Sequence, residues 1–514
     1  MVEQCETPAF LLALRKSIDI VRDVTGALEA LLPDGRAFPL PEWISEDSEL
    51  PTVKTVKQFC VGLLEKPDTH PWWGTVRHLS AANRMSIAGS LFLLRKTLPS
   101  PPSPWEAHAE RLCSKPSPVT RSYLRFVDVT VRSIFRRGWD RHYSRAVSNY
   151  LPPLSSSLTS ARRDGGSRAY WHGHRDNFVA GCQGWTTFRD RPFKARFMNV
   201  SGGGKSRSVT VASGAQCLLG PLHQTMYGRL SEESWLLRGA AKPSCFSDFG
   251  RRDGEVFVSG DYESATDNLS TQVALQILRS LRRTSSCVPE SVWRLASRSL
   301  HAVIEYPGGE EREMVRGQLM GNLLSFPLLC IQNYIAWLKL TGGGYPVKIN
   351  GDDIVFRAPR SVAQKWMSGV NRLGLTLSVG KTMVDPTFFS LNSTFFRAGT
   401  EHCRLVPVAR SKVLSEDPEV PSGVPGGLST FCSGFRGEVR TRLETLYLRR
   451  RERQFFCLGR SVRRDLRAVV SNEALERAGY VKREAFYLSL PFNPLPPCEV
   501  KFGTAVVGLP RGWR

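Results

Sequence analysis

Asp352 and Asp353 stand side by side in KINGDDIVF (348–356), among Ile349, Ile354, Val355 and Phe356. Adjacent carboxylates in an apolar, strand-forming stretch repel each other and lose hydration, so each raises the other's pKa. Two arrangements tolerate such a pair. NGD is a common hairpin-turn signal with no chemistry attached, or a divalent cation offsets the repulsion. A second acidic segment, EVFVSGDYESATDNLS (255–270), lies upstream, with Asp261 placed 91 residues before Asp352. Val256, Phe257 and Val258 predict a short buried strand ending at Gly260-Asp261. STQVALQILRSLRR follows, with Ala274, Ile277, Leu278 and Leu281 at helical spacing and Ser270 as N-cap. Asp261 then falls at a strand end, and Asp267 in the turn before a helix, where Asp267 and Asn268 could also be caps alone. Asp261, Asp352 and Asp353 are hard oxygen donors of the kind Mg²⁺ or Mn²⁺ prefers. Two ions roughly 3.5–4 Å apart can activate an attacking hydroxyl and stabilise the leaving oxygen of a phosphoryl transfer. Because strand side chains alternate, only a turn brings Asp352 and Asp353 toward one site. Asp352 is expected to be the principal ligand with Asp261, and Asp353 a weaker or outer one.

These acids need a large scaffold. The chain has 514 residues, 41% hydrophobic and 10% aromatic, which predicts a folded protein of two to four packed subdomains. Its formal net charge of +23 points to a polyanionic partner, nucleic acid before others. Twelve cysteines without a CxxC pair argue against a zinc ribbon or a secreted disulfide framework and for reduced thiols. The N-terminus MVEQCETPAFLLALRK resembles neither a secretory signal nor a transit peptide. LLSFPLLCIQNYIAWLKL (323–340) carries Ser325, Pro327, Gln332, Asn333 and Lys339, and so reads as a buried helix, not a membrane span.

Proline, glycine and serine cluster at 97–104, 151–166 and 417–427, marking breaks. Residues 1–165 read as helical without a chemical motif, 166–255 mix glycine, aromatics and arginine, and 256–400 alternate strand-like and helical runs. The fold class expected is therefore α+β, a sheet with helices on one face. Residues 401–514 end in helical, basic sequence. Between Arg436 and Arg467, eleven arginines face four acids. Such a run is a solvated helix face or an RNA-facing surface.

GDYESATD (260–267), GQLMGNLLSFP (317–327) and NGDD (350–353) occur in the order and approximate spacing of motifs A, B and C of viral RNA-directed RNA polymerases. The resemblance is to botourmiavirus (ourmia-like) polymerases and, more distantly, to those of narnaviruses, mitoviruses and leviviruses. It implies a right-hand polymerase with a helical N-terminal region (1–165), fingers (166–255), a palm with an antiparallel sheet and an inserted finger segment (256–400) and a helical thumb with a basic C-terminal region (401–514). It implies replication of a positive-strand RNA genome by two-metal nucleotidyl transfer. Asp261, Asp352 and Asp353 would be catalytic metal ligands, and Asp267 would read the ribose hydroxyls. Gly321 and Ser325 match the motif B glycine and the hydroxyl four positions on, with Leu319 where the family often has proline. SGGGKSRSVTV (201–211) resembles the basic finger motif, with Lys205 and Arg207 as triphosphate contacts. A bare glycine-rich turn is the alternative there, and its spacing excludes a Walker A loop. GLTLSVGKTMVDPTFFSLNSTFF (374–396) resembles motifs D and E. Lys381 would be the general acid for pyrophosphate, or a solvent lysine, and FFSLNSTFF would form a β-turn-β element against the palm.

The partners implied are template and product RNA and nucleoside triphosphates. A monomer in the host cytoplasm is expected, with the mitochondrion as the alternative compartment. Two rivals remain. A reverse transcriptase shares the metal chemistry but commonly gates the 2′-hydroxyl with an aromatic residue, where this chain has Thr266 and Asp267. A noncatalytic RNA-coating protein would explain the charge but not three ordered motifs.

Overall fold

The computed structural model describes residues 7–45, 48–116, 118–186, 192–378 and 382–497. The glycine-rich stretch at 201–204 folds as a tight hairpin. Strand β1 (Lys194–Gly202) pairs antiparallel with β2 (Lys205–Ala212), and Gly202 lies opposite Lys205. Both turn residues, Gly203 and Gly204, have positive φ, which glycine adopts without strain. Next come β3 (Glu255–Gly260), β4 (Val303–Glu305), β5 (Glu311–Glu313), β6 (Val347–Asn350), β7 (Asp353–Pro359), β8 (Met383–Asp385), β9 (Phe388–Leu391), β10 (Thr394–Ala398) and β11 (Cys403–Leu405).

The strands form three sheets, ordered β2-β1-β4-β5, β6-β7-β3-β8 and β11-β10-β9. The second is antiparallel throughout, and the class is α+β, as the alternating runs predict. In the first, β4 joins β1 in parallel. The segment between the two acidic motifs thereby adds to the sheet of the glycine-turn hairpin. FFSLNSTFF forms the β9–β10 hairpin, with Asn392 and Ser393 at positive φ in its turn.

The β6-β7-β3-β8 sheet is covered on both faces, which explains why β3 and β7 read as unbroken apolar runs. On one face Phe257 stacks on Phe389 at 5.0 Å, within a cluster that includes Phe246, Phe249 and Phe396. On the other, Val256, Val258, Ile354 and Phe356 pack with Trp337 and Trp366. Trp337 belongs to the helix Ser325–Thr341, whose apolar run is buried in the core. Among the described residues no helix is long and apolar enough to cross a membrane, and the ten cysteines are free thiols.

Residues 1–165 do not pack as one body. Side chains from Leu14 to Leu98 share a core with Ala409 to Tyr480, whereas Tyr123 to Tyr150 join the core of the central sheet. The helix Trp105–Cys113 lies on the β2-β1-β4-β5 sheet through Ala109 and Leu112.

Many arginines of the run at 436–467 are ion-paired or hydrogen-bonded within the protein, while Arg436, Arg449, Arg453 and Arg467 are exposed. Arg440 pairs with Glu444 at 2.6 Å, Arg442 with Glu438 at 2.8 Å, and Arg450 with Asp23 at 2.5 Å. Arg451, 4% exposed, binds Asp417 at 2.7 Å and the Val413 carbonyl at 2.6 Å. Arg463 and Arg464 are likewise bonded to carbonyls, Asn472 and Asp465. Uncompensated charge also collects at FRRGWDRHYSR (135–145). There Asp140 is fully buried and accepts from the Ser285 hydroxyl and the backbone N–H groups of Ser286, Cys287 and Val288. Burial acts to raise its pKa, but these bonds hold it below the usual carboxylate range. This anchor fixes a loop that exposes Arg136, Arg137, Arg141 and Arg145.

Candidate active site

Two strand ends and one turn bring the acids together. Gly260 lies opposite Ile354 across β3 and β7, which sets Asp261 alongside the start of β7. Asn350 pairs with Asp353, leaving Gly351 and Asp352 as a two-residue turn, with Gly351 at φ +66°. A Cβ on Gly351 would lie 3.1 Å from the Phe326 ring, so the turn sits close against the helix Ser325–Thr341.

One buried side chain joins both acidic segments. The Tyr262 hydroxyl donates to Asn333 Oδ1 at 2.8 Å, and Asn333 Nδ2 donates to the Gly351 carbonyl at 3.1 Å. Asn333 is fully buried, where an unpaired amide would cost about 1–3 kcal/mol. Its position as a polar residue inside an apolar helix was the one signal that sequence offered for it.

Asp261 and Asp352 line a single cleft of about 640 Å³ together with Lys205, Arg207, Asp267 and Ser325. Burial raises the Asp352 carboxyl above its usual pKa. Asp261 pushes it further, and Lys205 and Arg207 oppose the shift. Asp353 lies beside this lining. Burial, followed by Asp352 and Asp261, pushes its pKa up to about 7, against the pull of Lys96 and the Asn392 N–H. Lys96 donates to Ser393 Oγ at 2.8 Å, in the β9–β10 turn. Burial, with Arg95 adding, lowers its pKa to about 8. Sequence reading found no part for Lys96, which comes from the helical N-terminal region. Among the described residues no three Asp, Glu, His or Cys side chains are grouped to hold an ion by themselves. Asp261 and Asp352 face the cleft, and Asp353 stands behind them.

Asp267 lies in the one-turn helix Ala265–Asn268, not in a bare turn, and is 8% exposed at the cleft wall. Ser270 caps the helix Thr271–Thr284, as its sequence predicts, through the Val273 N–H. Gly321, at φ +129°, lies directly against the Thr210 carbonyl of β2. Its neighbour Met320 accepts from Thr210 N at 2.9 Å and Thr210 Oγ1 at 3.3 Å. Ser325 donates to the Leu319 carbonyl at 2.8 Å, which folds the loop back on its own helix start. Lys205 and Arg207 are two apart on β2 and share its cleft face. Lys381 lies outside the described residues.

No protein-family model matches the chain. An RNA-dependent RNA polymerase of Ourmia melon virus (isolate Melon/Iran/VE9) is 24% identical over 65% of this chain and 47% of its own length. The chain thus spans about half the length of that curated relative. Among solved structures, the RNA-dependent RNA polymerase of a human picorbirnavirus is similar at a TM-score of 0.48 and 14% identity, covering 79% of this chain and 82% of that one.

Proposed function

We propose that this chain is an RNA-directed RNA polymerase that extends an RNA 3′ end on an RNA template from nucleoside triphosphates. The observation that carries the reading is the convergence of Asp261 and Asp352, 91 residues apart, on one cleft with Lys205, Arg207 and Asp267. The similarity to the Ourmia melon virus enzyme supports it.

The donor set fits Mg²⁺ or Mn²⁺. Asp261 and Asp352 would hold the ions with Asp353 as an outer ligand; burial first, and then the neighbouring carboxylates, raise the pKa of Asp352 and Asp353, a cost that a cation would offset. When bound, the ions would lower the pKa of the attacking hydroxyl and stabilise charge on the leaving oxygen. The chain's own side chains do the rest. Lys205 and Arg207 neutralise the triphosphate across the cleft, Asp267 accepts from the ribose, and the Gly321 loop holds β2 at a set distance from Asp352. The 3′-oxygen then bonds to the α-phosphorus as the bond to pyrophosphate breaks.

Asp267 favours RNA over DNA synthesis, because it offers a hydroxyl acceptor at the cleft wall and its neighbour there is Thr266, not an aromatic residue. Supplied with one primed RNA template and either ribo- or deoxyribonucleoside triphosphates, the protein is expected to extend the primer with the ribonucleotides. Extension with deoxyribonucleotides alone would favour a reverse transcriptase, and binding without extension a coat protein.

The arginine groove at 136–145 supports RNA as the partner. It is a cavity of about 610 Å³ bordered by Gln224, Thr225 and Gly228 of the helix Gly220–Leu230. Among the described residues, the side chains of Arg136, Arg137 and Arg145 are exposed and form no ion pair. Replacing these three by serine is expected to flatten the dependence of log affinity on log salt by about 2, from a loss of ~0.7 per charge on single-stranded RNA. Fluorescence anisotropy across a salt series measures it, and an unchanged slope would move the RNA path elsewhere.

A further inference from the structure

Asp267 is not approached by the polymerase motifs alone. Arg111, 156 positions upstream, donates from Nε to Asp267 Oδ2 at 3.1 Å. Arg111 itself lines the cleft and is half-buried. Its helix, Trp105–Cys113, is tied firmly in place. The Leu112 carbonyl accepts from Val315 N at 2.9 Å and Arg316 N at 3.0 Å. His108 meets the Tyr306 hydroxyl at 3.1 Å. Beyond Arg316, Gly317 N donates to the Leu269 carbonyl at 2.9 Å and Gln318 N to that of Thr266 at 2.8 Å. A Cβ on Gly317 would lie 2.5 Å from the Asp267 carbonyl oxygen and 2.6 Å from Leu112 Cδ2. The segment 315–318 is therefore wedged between the helix carrying Arg111 and the turn carrying Asp267, and it fixes their separation.

We propose that Arg111 is a positioning residue for nucleotide selection: it keeps Asp267 an aligned, charged acceptor for the ribose hydroxyls, so that a deoxyribonucleotide is rejected. This inference rests on the polymerase reading above. A charged carboxylate accepts only, and two hydroxyls of a ribonucleotide can satisfy its free lone pairs. Without the 2′-hydroxyl, part of a buried charge goes unpaired, and sites of that kind discriminate strongly. A protonated acid would be less particular, since it donates as well as accepts.

The charged and titratable groups near Asp267 come from several elements. Arg111 lies on the helix Trp105–Cys113, Tyr306 on the segment after β4, Arg316 reaches the neighbouring Asn268 carbonyl, and Lys205, Arg207, Asp261 and Asp352 line the same cleft. Burial raises the Asp267 carboxyl, and Arg111 is the group that pulls it back. Removing Arg111 leaves burial unopposed, so the acid takes up its proton at higher pH than before.

The test compares kcat/KM for a ribonucleotide and its 2′-deoxy counterpart over a pH series, in the parent, Arg111→Gln and Arg111→Lys. The glutamine variant should lose at least about tenfold in the ribo/deoxy ratio at mildly acid pH and recover it as pH rises through the new pKa of Asp267. The lysine variant, which keeps a charge, should restore most of the ratio. Equal losses on both substrates, flat with pH and not rescued by lysine, would make Arg111 merely structural and overturn the inference, as would an unchanged ratio. If the glutamine variant does not fold, Arg111→Met, which also removes the charge at similar length, takes its place and is read by the same criteria. A parent protein that extends RNA with neither substrate strikes the polymerase reading itself.

Discussion

Asp352→Ala is expected to lower nucleotide incorporation by roughly a thousandfold, the scale on which single preorganised groups stabilise charge in a reacting centre. RNA affinity should change little, because the exposed arginines at 136–145 line a separate groove and not this cleft. The two readouts separate cleanly: single-nucleotide extension by quenched flow, and anisotropy with a labelled RNA. The same substitution should not destabilise the metal-free protein. Burial and Asp261 both raise the Asp352 carboxyl, so its ionised form opposes folding at neutral pH. For an acid whose folded pKa is raised, that penalty is absent at low pH and grows as pH rises through the unfolded value. Asp352→Asn, which keeps the shape and removes the charge, should therefore melt at or above the parent temperature without metal. A variant that incorporates nucleotide at the parental rate would remove the carboxylate cluster from the chemistry.

How far the sequence carried depended on how local each cause was. The strand ending at Asp261, the turn at Gly351-Asp352 and the Ser270 cap are each set by a few neighbouring residues, and their patterns were readable. The partners of Asp267 and Asp353 were not. Arg111 reaches Asp267 across 156 positions, and Lys96 reaches the β9–β10 turn across 297. Nothing near either residue in sequence distinguishes it from other arginines or lysines of a basic chain. The ion pairs of the run at 436–467 were hidden for the same reason: Asp23 and Asp417, which pair with Arg450 and Arg451, lie outside the run. The glycines at 203 and 204 read as part of a basic motif or a bare turn; only the structure shows them closing a hairpin, which gives Lys205 and Arg207 a strand to share. Local pattern thus located the acids, and tertiary packing chose what surrounds them.

Gly321→Ala is expected to cost about a hundredfold in kcat/KM with the protein still folded. Two separate effects act at this position. At φ +129° an L-residue is strained, and a Cβ would overlap the Thr210 carbonyl oxygen on β2. Relief requires β2 to move away, which breaks the bonds from Thr210 N and Oγ1 to the Met320 carbonyl. Lys205 and Arg207 stand on that strand, so the triphosphate contacts shift relative to Asp261 and Asp352. A displacement of about 1 Å in a positioning element is enough for a loss of that size. Gly254→Ala supplies the comparison: its φ is +77°, and a Cβ there meets nothing within 4 Å. It should carry backbone strain, a lower melting temperature and near-parental turnover. If both alanine variants lose activity equally, strain alone is responsible and the contact between Gly321 and β2 does not set the geometry of the cleft.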